Sequence, residues 1–187
     1  MKELSIVIPV KNEEENLETL HKELSQTLGK LGKSYEILFV DDGSTDRSLD
    51  VLKQIQQKDS HAQVIKLRKN FGQTAAMDAG FKYAEGQVII AMDADLQNDP
   101  KDIPKLLTKM KEGYDMVIVS RYAEGAKSYD DDAVPSFGNW LFTACINVLH
   151  GGKYTDSMVI YRAYHKKLVY DLDLDKDSSY DFEEKLF

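Results

Sequence analysis

The feature that most limits the possible folds of this chain is a regular alternation of short apolar runs with segments of helical periodicity. Continuous runs rich in Val, Ile and Leu are typical of strands that are buried on both faces of a sheet. Five such runs occur, at Leu4–Val10, Tyr35–Val40, Val64–Leu67, Val88–Met92 and Met116–Val119.

Between these runs, apolar side chains recur every three or four residues, which indicates amphipathic helices. The helices are predicted over Asn12–Leu31, through Leu49–Ile55, over Asn70–Tyr83 and from the turn at Pro104 to Gly113. Because strands and helices alternate, the sequence predicts an α/β fold with a mostly parallel sheet and helices on both faces.

Polar and charged side chains follow every one of the predicted strands. Ligands of parallel α/β sheets bind beyond the carboxyl ends of the strands, so we expect these side chains to surround one site. For any single strand, a solvated loop end remains an alternative. The side chains are Lys11, Asn12 and Glu13, then Asp41 and Asp42, then Arg68 and Lys69, then Asp93, Asp95 and Gln97, and finally Arg121.

Asp93 and Asp95 directly follow the apolar run Val88–Met92. Two carboxylates at this spacing suit Mg²⁺ or Mn²⁺ that holds a diphosphate, since these ions prefer oxygen ligands. Gln97 would add a neutral oxygen. Taken alone, an Asp-x-Asp triplet in a solvated turn explains the pattern equally well.

The strand ends lack the glycine patterns of two common phosphate sites. KNEEEN follows the first strand in place of a dinucleotide fingerprint, and the chain contains no Walker loop. Phosphate contacts are therefore expected from a metal ion and from Arg68, Lys69 and Arg121. Asp41 or Asp42 would accept hydrogen bonds from a base or a ribose. A nucleoside diphosphate with a metal ion fits this inventory.

Composition limits the partners and the compartment. The formal net charge is -8, and an acidic protein is a poor candidate for nucleic-acid binding. The single cysteine, Cys145, is predicted to pack in the core and excludes a disulfide framework. Met1 leads directly into a strand pattern and no apolar run approaches ~18 residues, so we expect a cytoplasmic protein, peripheral on the cytoplasmic membrane face if it meets a membrane.

Four motifs occur in order over about the first 120 residues: IVIPVKNEEENL, VDDGSTD, KNFGQTAAMDAGF and DADLQNDPKDIPKLL. Together they resemble the inverting family-two glycosyltransferases of the Rossmann-like GT-A fold, particularly the dolichyl- and polyprenyl-phosphate sugar synthases. The resemblance implies a nucleobase pocket, a metal site and a phosphate contact. Pro9, Val10, Glu13 and Asp42 would line the pocket, Asp93 would meet the ribose and the metal, Asp95 and Gln97 would hold the metal and diphosphate, and Arg121 would contact phosphate.

Beyond Arg121 the sequence departs from the family pattern, since Lys127 is followed by three aspartates, Asp130–Asp132. Asp156 resembles the family aspartate that lies near the acceptor, although Val159 and Ile160 replace the usual small residues. We therefore expect residues 1–121 to bind the nucleotide sugar and residues 122–187 to form the acceptor side of the same domain.

Two segments have more than one interpretation. The apolar stripe of a helix over Phe137–Leu149 is predicted to pack in the core, with an interfacial helix that places Trp140 at headgroup depth as the alternative. Asp173, Asp175 and Asp177 imitate a calcium loop, but Ser178 replaces the glycine of the sharp turn, so a solvated acidic tail is favoured.

These observations predict a metal-dependent inverting glycosyltransferase that uses Mg²⁺ or Mn²⁺ and a UDP- or GDP-linked sugar. A polyprenyl or dolichyl phosphate is the expected acceptor; for a hydroxyl acceptor, Asp156 is the candidate general base. One alternative is a nucleotide-sugar-binding module without turnover. The other is a phosphatase of the haloacid dehalogenase type, which also places Asp-x-Asp after a strand.

Overall fold

The computed structural model describes residues 2–120, 133–150, 154–156, 159–171 and 182–186, and the statements below refer to these parts of the chain. The strands are β1 Leu4–Val10, β2 Tyr35–Asp41, β3 Ala62–Leu67, β4 Val88–Ala91, β5 Met116–Ile118, β6 Arg162–His165 and β7 Phe182–Leu186. The helices are α1 Leu17–Lys30, α2 Ser48–Lys58, α3 Gln73–Tyr83, α4 Ile103–Met110, α5 Ala133–His150 and α6 Lys166–Asp171. A 3₁₀ turn, Pro100–Asp102, leads into α4.

All seven strands form one sheet in the order β5-β6-β4-β1-β2-β3-β7. The four central strands, β4, β1, β2 and β3, are parallel to one another. The mostly parallel sheet is thus confirmed, and all four belong to apolar runs identified in the sequence.

Helices cover both faces of the sheet. Side chains of α1, α2 and α4 pack with Ile6, Ile8 and Phe39 on one face, whereas α3 packs with Val7 and Leu38 on the other. Both faces of the central strands are therefore withdrawn from water, which explains why their sequences are continuous apolar runs rather than alternating ones.

Two antiparallel strands were not predicted. β6 lies between β4 and β5, although its sequence, RAYH, gives no apolar run. β7 pairs with β3 at the edge of the sheet, so residues 182–186 form an edge strand, and the prediction of an acidic tail is wrong for them. The proposed calcium loop lies outside the described residues.

The helix expected over Phe137–Leu149 is present as α5, but core packing of its apolar stripe is wrong. Trp140 is 64% exposed, Val148 83% and Leu149 78%, and Cys145 is exposed as well. One contact of α5 with the rest of the chain is polar: the Asn147 side chain exchanges two hydrogen bonds of 2.8 Å with the Tyr154 backbone. None of the helices in the described ranges is long and apolar enough to cross a bilayer.

Candidate active site

A pocket of about 410 Å³ opens at the carboxyl ends of the central strands. Residues that follow β1, β2, β3 and β4 all contribute to it, so the predicted convergence of these four strand ends is observed. The lining residues are Pro9, Val10, Lys11, Glu13, Asp42, Asn70, Gly72, Gln73, Asp93, Ala94 and Asp95.

Hydrogen bonds join the turns that follow β1 and β2. Asn12 has a left-handed backbone conformation with φ 57°, which Asn tolerates better than most residues. Its backbone N–H donates to Ser44 Oγ over 3.0 Å, and its side-chain oxygen accepts from the Thr45 N–H over 2.8 Å. Lys11 donates through Nζ to the carbonyl oxygens of Asp42 and Gly43. These hydrogen bonds therefore fix the turns after β1 and β2 relative to each other beside the pocket.

Asp42 connects these two turns to the loop after β3. Its side chain is buried, and its two oxygens accept from the N–H groups of Phe71 at 2.7 Å and Gly72 at 2.9 Å. The adjacent Gly43 has φ +62°, and a Cβ there would lie 2.6 Å from the carbonyl carbon of Lys69. An ionised carboxylate has about four acceptor positions, so Asp42 retains acceptor capacity towards the pocket.

Asp93 and Asp95 lie together at the end of β4, near Glu13. Burial raises the pKa of the Asp93 carboxyl above its usual range, and the Asp95 and Glu13 carboxylates raise it further. Side-chain hydrogen bonds from Asn98 and Gln73 act in the opposite direction. The site therefore concentrates negative charge that a cation would relieve.

The turn that follows the Asp-x-Asp triplet is closed by the Asp95 side chain. Asp95 Oδ1 accepts from the Gln97 N–H over 3.0 Å, and Leu96 between them has φ 63°. The Gln97 side chain is exposed and does not line the pocket. The contact of Gln97 that the structure shows is thus made by its backbone.

The carboxylate pair fits a divalent cation of the Mg²⁺ type. Within the described residues, no group of three or more His, Cys, Asp and Glu side chains has an arrangement that would hold a metal ion. Proteins usually bind Mg²⁺ through one or two carboxylates, with substrate phosphates and water completing the shell. Asp93 and Asp95 supply this number of ligands beside an open pocket.

A model of the family described as glycosyl transferase family 2 matches residues 5–172 of the chain. The chain belongs to glycosyl transferase family 2. This match confirms the resemblance seen in the four motifs and leaves the phosphatase alternative without support.

Curated relatives of the chain include transferases from Salmonella. The undecaprenyl-phosphate 4-deoxy-4-formamido-L-arabinose transferase of Salmonella paratyphi B is 38% identical over 170 residues, which cover 90% of this chain and 50% of that protein. The chain therefore spans about half the length of the curated relatives that it matches.

Solved structures of glycosyltransferases share the fold. Glucosyl-3-phosphoglycerate synthase from Mycobacterium tuberculosis, in complex with Mn²⁺, uridine diphosphate and phosphoglyceric acid, has a TM-score of 0.68 at 19% identity, over 89% of this chain and 57% of that chain. S. aureus TarS 1–349 in complex with UDP has a TM-score of 0.62 at 20% identity, over 90% and 48% of the two chains. These similarities confirm the expected GT-A fold.

Asp156 of this family 2 chain lies at the same edge of the sheet but in a different pocket. Arg162 pairs with Ala91 at the end of β4, which brings the segment before β6 to the carboxyl edge. Asp156 is buried, at 1% exposure, and lines a groove of about 700 Å³ along β5 together with Ser120 and Thr155. None of the residues that line this groove lines the Asp93 pocket. Its role remains a prediction.

Of the three predicted phosphate contacts, the two that the structure describes do not line the pocket. Arg68 and Lys69 are exposed, and the Lys69 ammonium lies 5.2 Å from the centre of the Phe71 ring. Arg121 lies outside the described residues. By contrast, Asn70, Gly72 and Gln73 line the pocket although the sequence analysis assigned them no role. The motif KNFGQTAAMDAGF contained all three, but only the packing of α3 shows that its first turn faces the carboxylates.

Proposed function

We propose that this chain is an inverting glycosyltransferase that moves a sugar from a nucleoside diphospho-sugar to a polyprenyl phosphate. The observation that supports this most is the meeting of Asp93, Asp95, Glu13 and Asp42 in one pocket at the carboxyl ends of parallel strands. Family membership supports the reaction class, and the name of the Salmonella relative supports an undecaprenyl phosphate acceptor.

Asp93 and Asp95 hold Mg²⁺ or Mn²⁺ in this proposal, and the role of the exposed Gln97 side chain as a third oxygen ligand stays a prediction from the sequence. When bound, the ion neutralises negative charge that develops on the leaving diphosphate. The fold neighbour with Mn²⁺ and uridine diphosphate supports the pairing of ion and nucleotide. Arg121 adds a positive charge on the diphosphate, and Lys69 contributes from the rim of the pocket.

The nucleoside occupies the other end of the same pocket. Pro9 and Val10 form an apolar wall at the end of β1, while Glu13 and Asp42 offer carboxylate acceptors to the base or the ribose. The free acceptor positions of Asp42 would receive N–H or O–H donors, so the pocket favours a base or sugar with exposed donors. UDP and GDP both meet this requirement.

The acceptor approaches from the Asp156 side at a membrane surface. An oxygen of the lipid phosphate attacks the anomeric carbon, the bond from that carbon to the diphosphate breaks, and the nucleoside diphosphate leaves with inversion. A phosphate oxygen is already anionic and requires no base, whereas a hydroxyl acceptor would require Asp156 to remove its proton. The polyprenyl chain implies a peripheral location on the cytoplasmic membrane face.

A binding module without turnover is the second candidate, because the acidic residues Asp130–Asp132 stand where the family usually has basic residues. The test is incubation of the chain with UDP- and GDP-linked sugars, Mn²⁺ and undecaprenyl phosphate in detergent, with release of nucleoside diphosphate and sugar transfer to lipid as readouts. Transfer that EDTA abolishes is the expected result. Metal-dependent nucleotide binding without transfer would establish the module, and absence of nucleotide binding would overturn both candidates.

A further inference from the structure

We propose that Gln73 is a positioning residue for Asp93, through which the first turn of α3 fixes the metal-binding carboxylate in the pocket. The inference rests on the proposed function, since it concerns the metal of that same site. Gln73 lines the pocket and is exposed to it rather than buried in the domain. The Gln73 side chain therefore does not contribute to core packing.

The direct contact is a hydrogen bond from Gln73 Nε2 to Asp93 Oδ1 over 3.1 Å. Asp95 and Glu13 place further negative charge beside Asp93, and repulsion from them favours rotation of the Asp93 carboxylate away from the pair. The amide donor on Oδ1 opposes that rotation, together with the side-chain hydrogen bond from Asn98. Such partners of metal-binding groups typically contribute 10–100-fold to metal affinity.

Gln73 can hold Asp93 only if its own backbone is fixed, and the structure supplies two restraints. Gln73 is the first residue of α3 and follows Gly72, whose N–H donates to Asp42 Oδ2 over 2.9 Å. Further along α3, Gly80 lies so close to the sheet that a Cβ there would be 2.3 Å from Val7 Cγ1. The helix is thus fixed at both ends of its contact with the sheet.

These contacts form a continuous connection across the pocket. Asp42 at the nucleoside end holds Gly72, Gly72 precedes Gln73, and Gln73 holds Asp93 at the metal end. Gln73 is therefore predicted to influence the metal-dependent part of nucleotide affinity and to leave the metal-independent part unchanged.

The test uses Gln73→Met, which keeps the length of the side chain and removes the donor. The matched control is Gln57→Met, the same change at an exposed position of α2. Affinities for UDP and for GDP are first measured by calorimetry with wild-type protein in Mn²⁺ and in EDTA, and the nucleotide that binds more tightly is kept. Mn²⁺ affinity at saturating nucleotide is then measured from the electron paramagnetic resonance of free Mn²⁺.

We expect Gln73→Met to weaken Mn²⁺ affinity by about 10–100-fold, with unchanged nucleotide affinity in EDTA and an unchanged melting temperature. Gln57→Met should match wild type throughout. Unchanged Mn²⁺ affinity in Gln73→Met would overturn the inference, as would an equal loss of nucleotide affinity in EDTA, which would mean that Gln73 contacts the nucleotide itself. If wild-type protein bound neither nucleotide in a metal-dependent way, the proposed function would fail instead.

Discussion

Asp42 is a buried carboxylate with a structural role, and we propose that it also binds the nucleotide. Its oxygens accept from the N–H groups of Phe71 and Gly72, and the Gly72 N–H also donates to Asn70 Oδ1. Replacement of one Asp42 oxygen by an amide NH₂ in Asp42→Asn therefore breaks one of the two part-buried hydrogen bonds to Asp42. Such a loss costs about 1–3 kcal/mol. We expect a lower free energy of unfolding in urea and weaker nucleotide binding in both Mn²⁺ and EDTA.

The control for this prediction is Asp50→Asn, at an exposed position in the first turn of α2, where a loss of a few tenths of a kcal/mol is typical. A collapse of Mn²⁺ affinity with intact nucleotide affinity in Asp42→Asn would show that the nucleoside and metal ends have been assigned in reverse.

Asp59 is a second residue with a measurable electrostatic role, at the opposite edge of the sheet. Burial alone would raise its pKa, but hydrogen bonds from the backbone and ring of His61 and from the ring of His21 lower it to about 2. The Asp59 oxygens lie 2.9 Å from His21 Nε2 and 2.8 Å from His61 Nδ1. The His61 ring in turn stacks on Tyr35, with ring centroids 4.4 Å apart.

Because the folded-state pKa of Asp59 is lowered, its contribution to stability is present above the ordinary value of 3.8 and is lost as pH falls through about 2. The shift corresponds to about 2 kcal/mol. Urea unfolding of wild type and Asp59→Asn should therefore differ by about this amount at neutral pH and converge near pH 2. A difference in free energy of unfolding that is constant with pH would contradict the lowered pKa of Asp59.

Helix α3 packs closely against the sheet at Gly80. In Gly80→Ala the new Cβ would lie 2.3 Å from Val7 Cγ1 and 3.2 Å from Val40 Cγ2. Overpacking of this kind costs about 1–3 kcal/mol, which exceeds the gain of ~1 kcal/mol in helix propensity. Gly29→Ala is the matched control, since a Cβ at this position of α1 meets nothing within 4 Å.

Urea unfolding should show that Gly80→Ala is less stable than wild type and that Gly29→Ala is equally or more stable. If Gly80→Ala were stabilised as much as Gly29→Ala, α3 would not lie as close to the sheet as the structure places it.

Elements that depend on local pattern could be predicted from the sequence, whereas those that depend on distant partners could not. Val88–Met92 is a buried strand by its own composition, and β4 begins at its first residue. β6 is a strand because β4 and β5 pair with it on either side, and four mixed residues do not reveal that. The contact of Gln73 with Asp93 likewise depends on how α3 packs, which no spacing within the motif encodes.

For the whole molecule, the exposed apolar side chains of α5 and the net charge of -8 act in opposite directions at a membrane. We expect weak co-sedimentation with phosphatidylcholine vesicles and weaker co-sedimentation with anionic vesicles. Trp140→Glu should abolish attachment without lowering the melting temperature, because Trp140 is 64% exposed and interfacial binding depends on buried apolar area.

Gln54→Glu adds the same charge at an exposed position of α2 and should leave attachment unchanged. Attachment that survives Trp140→Glu would remove α5 from the membrane contact, and loss of folding in that variant would show that Trp140 belongs to the core after all.

We propose that Asp93 and Asp95 bind a nucleoside diphosphate through a divalent cation, and calorimetry of UDP and GDP binding tests this proposal. Wild type, Asp93→Asn, Asp95→Ala and the control Asp50→Asn are titrated in Mn²⁺ and in EDTA, with melting temperatures measured in parallel. Partners of metal ligands typically contribute 10–100-fold to metal affinity and a ligand itself should contribute at least as much, so each site variant should bind about 100-fold more weakly in Mn²⁺ and remain folded. Equal affinity with and without EDTA in wild type, or unchanged affinity in Asp93→Asn and Asp95→Ala, would contradict the claim.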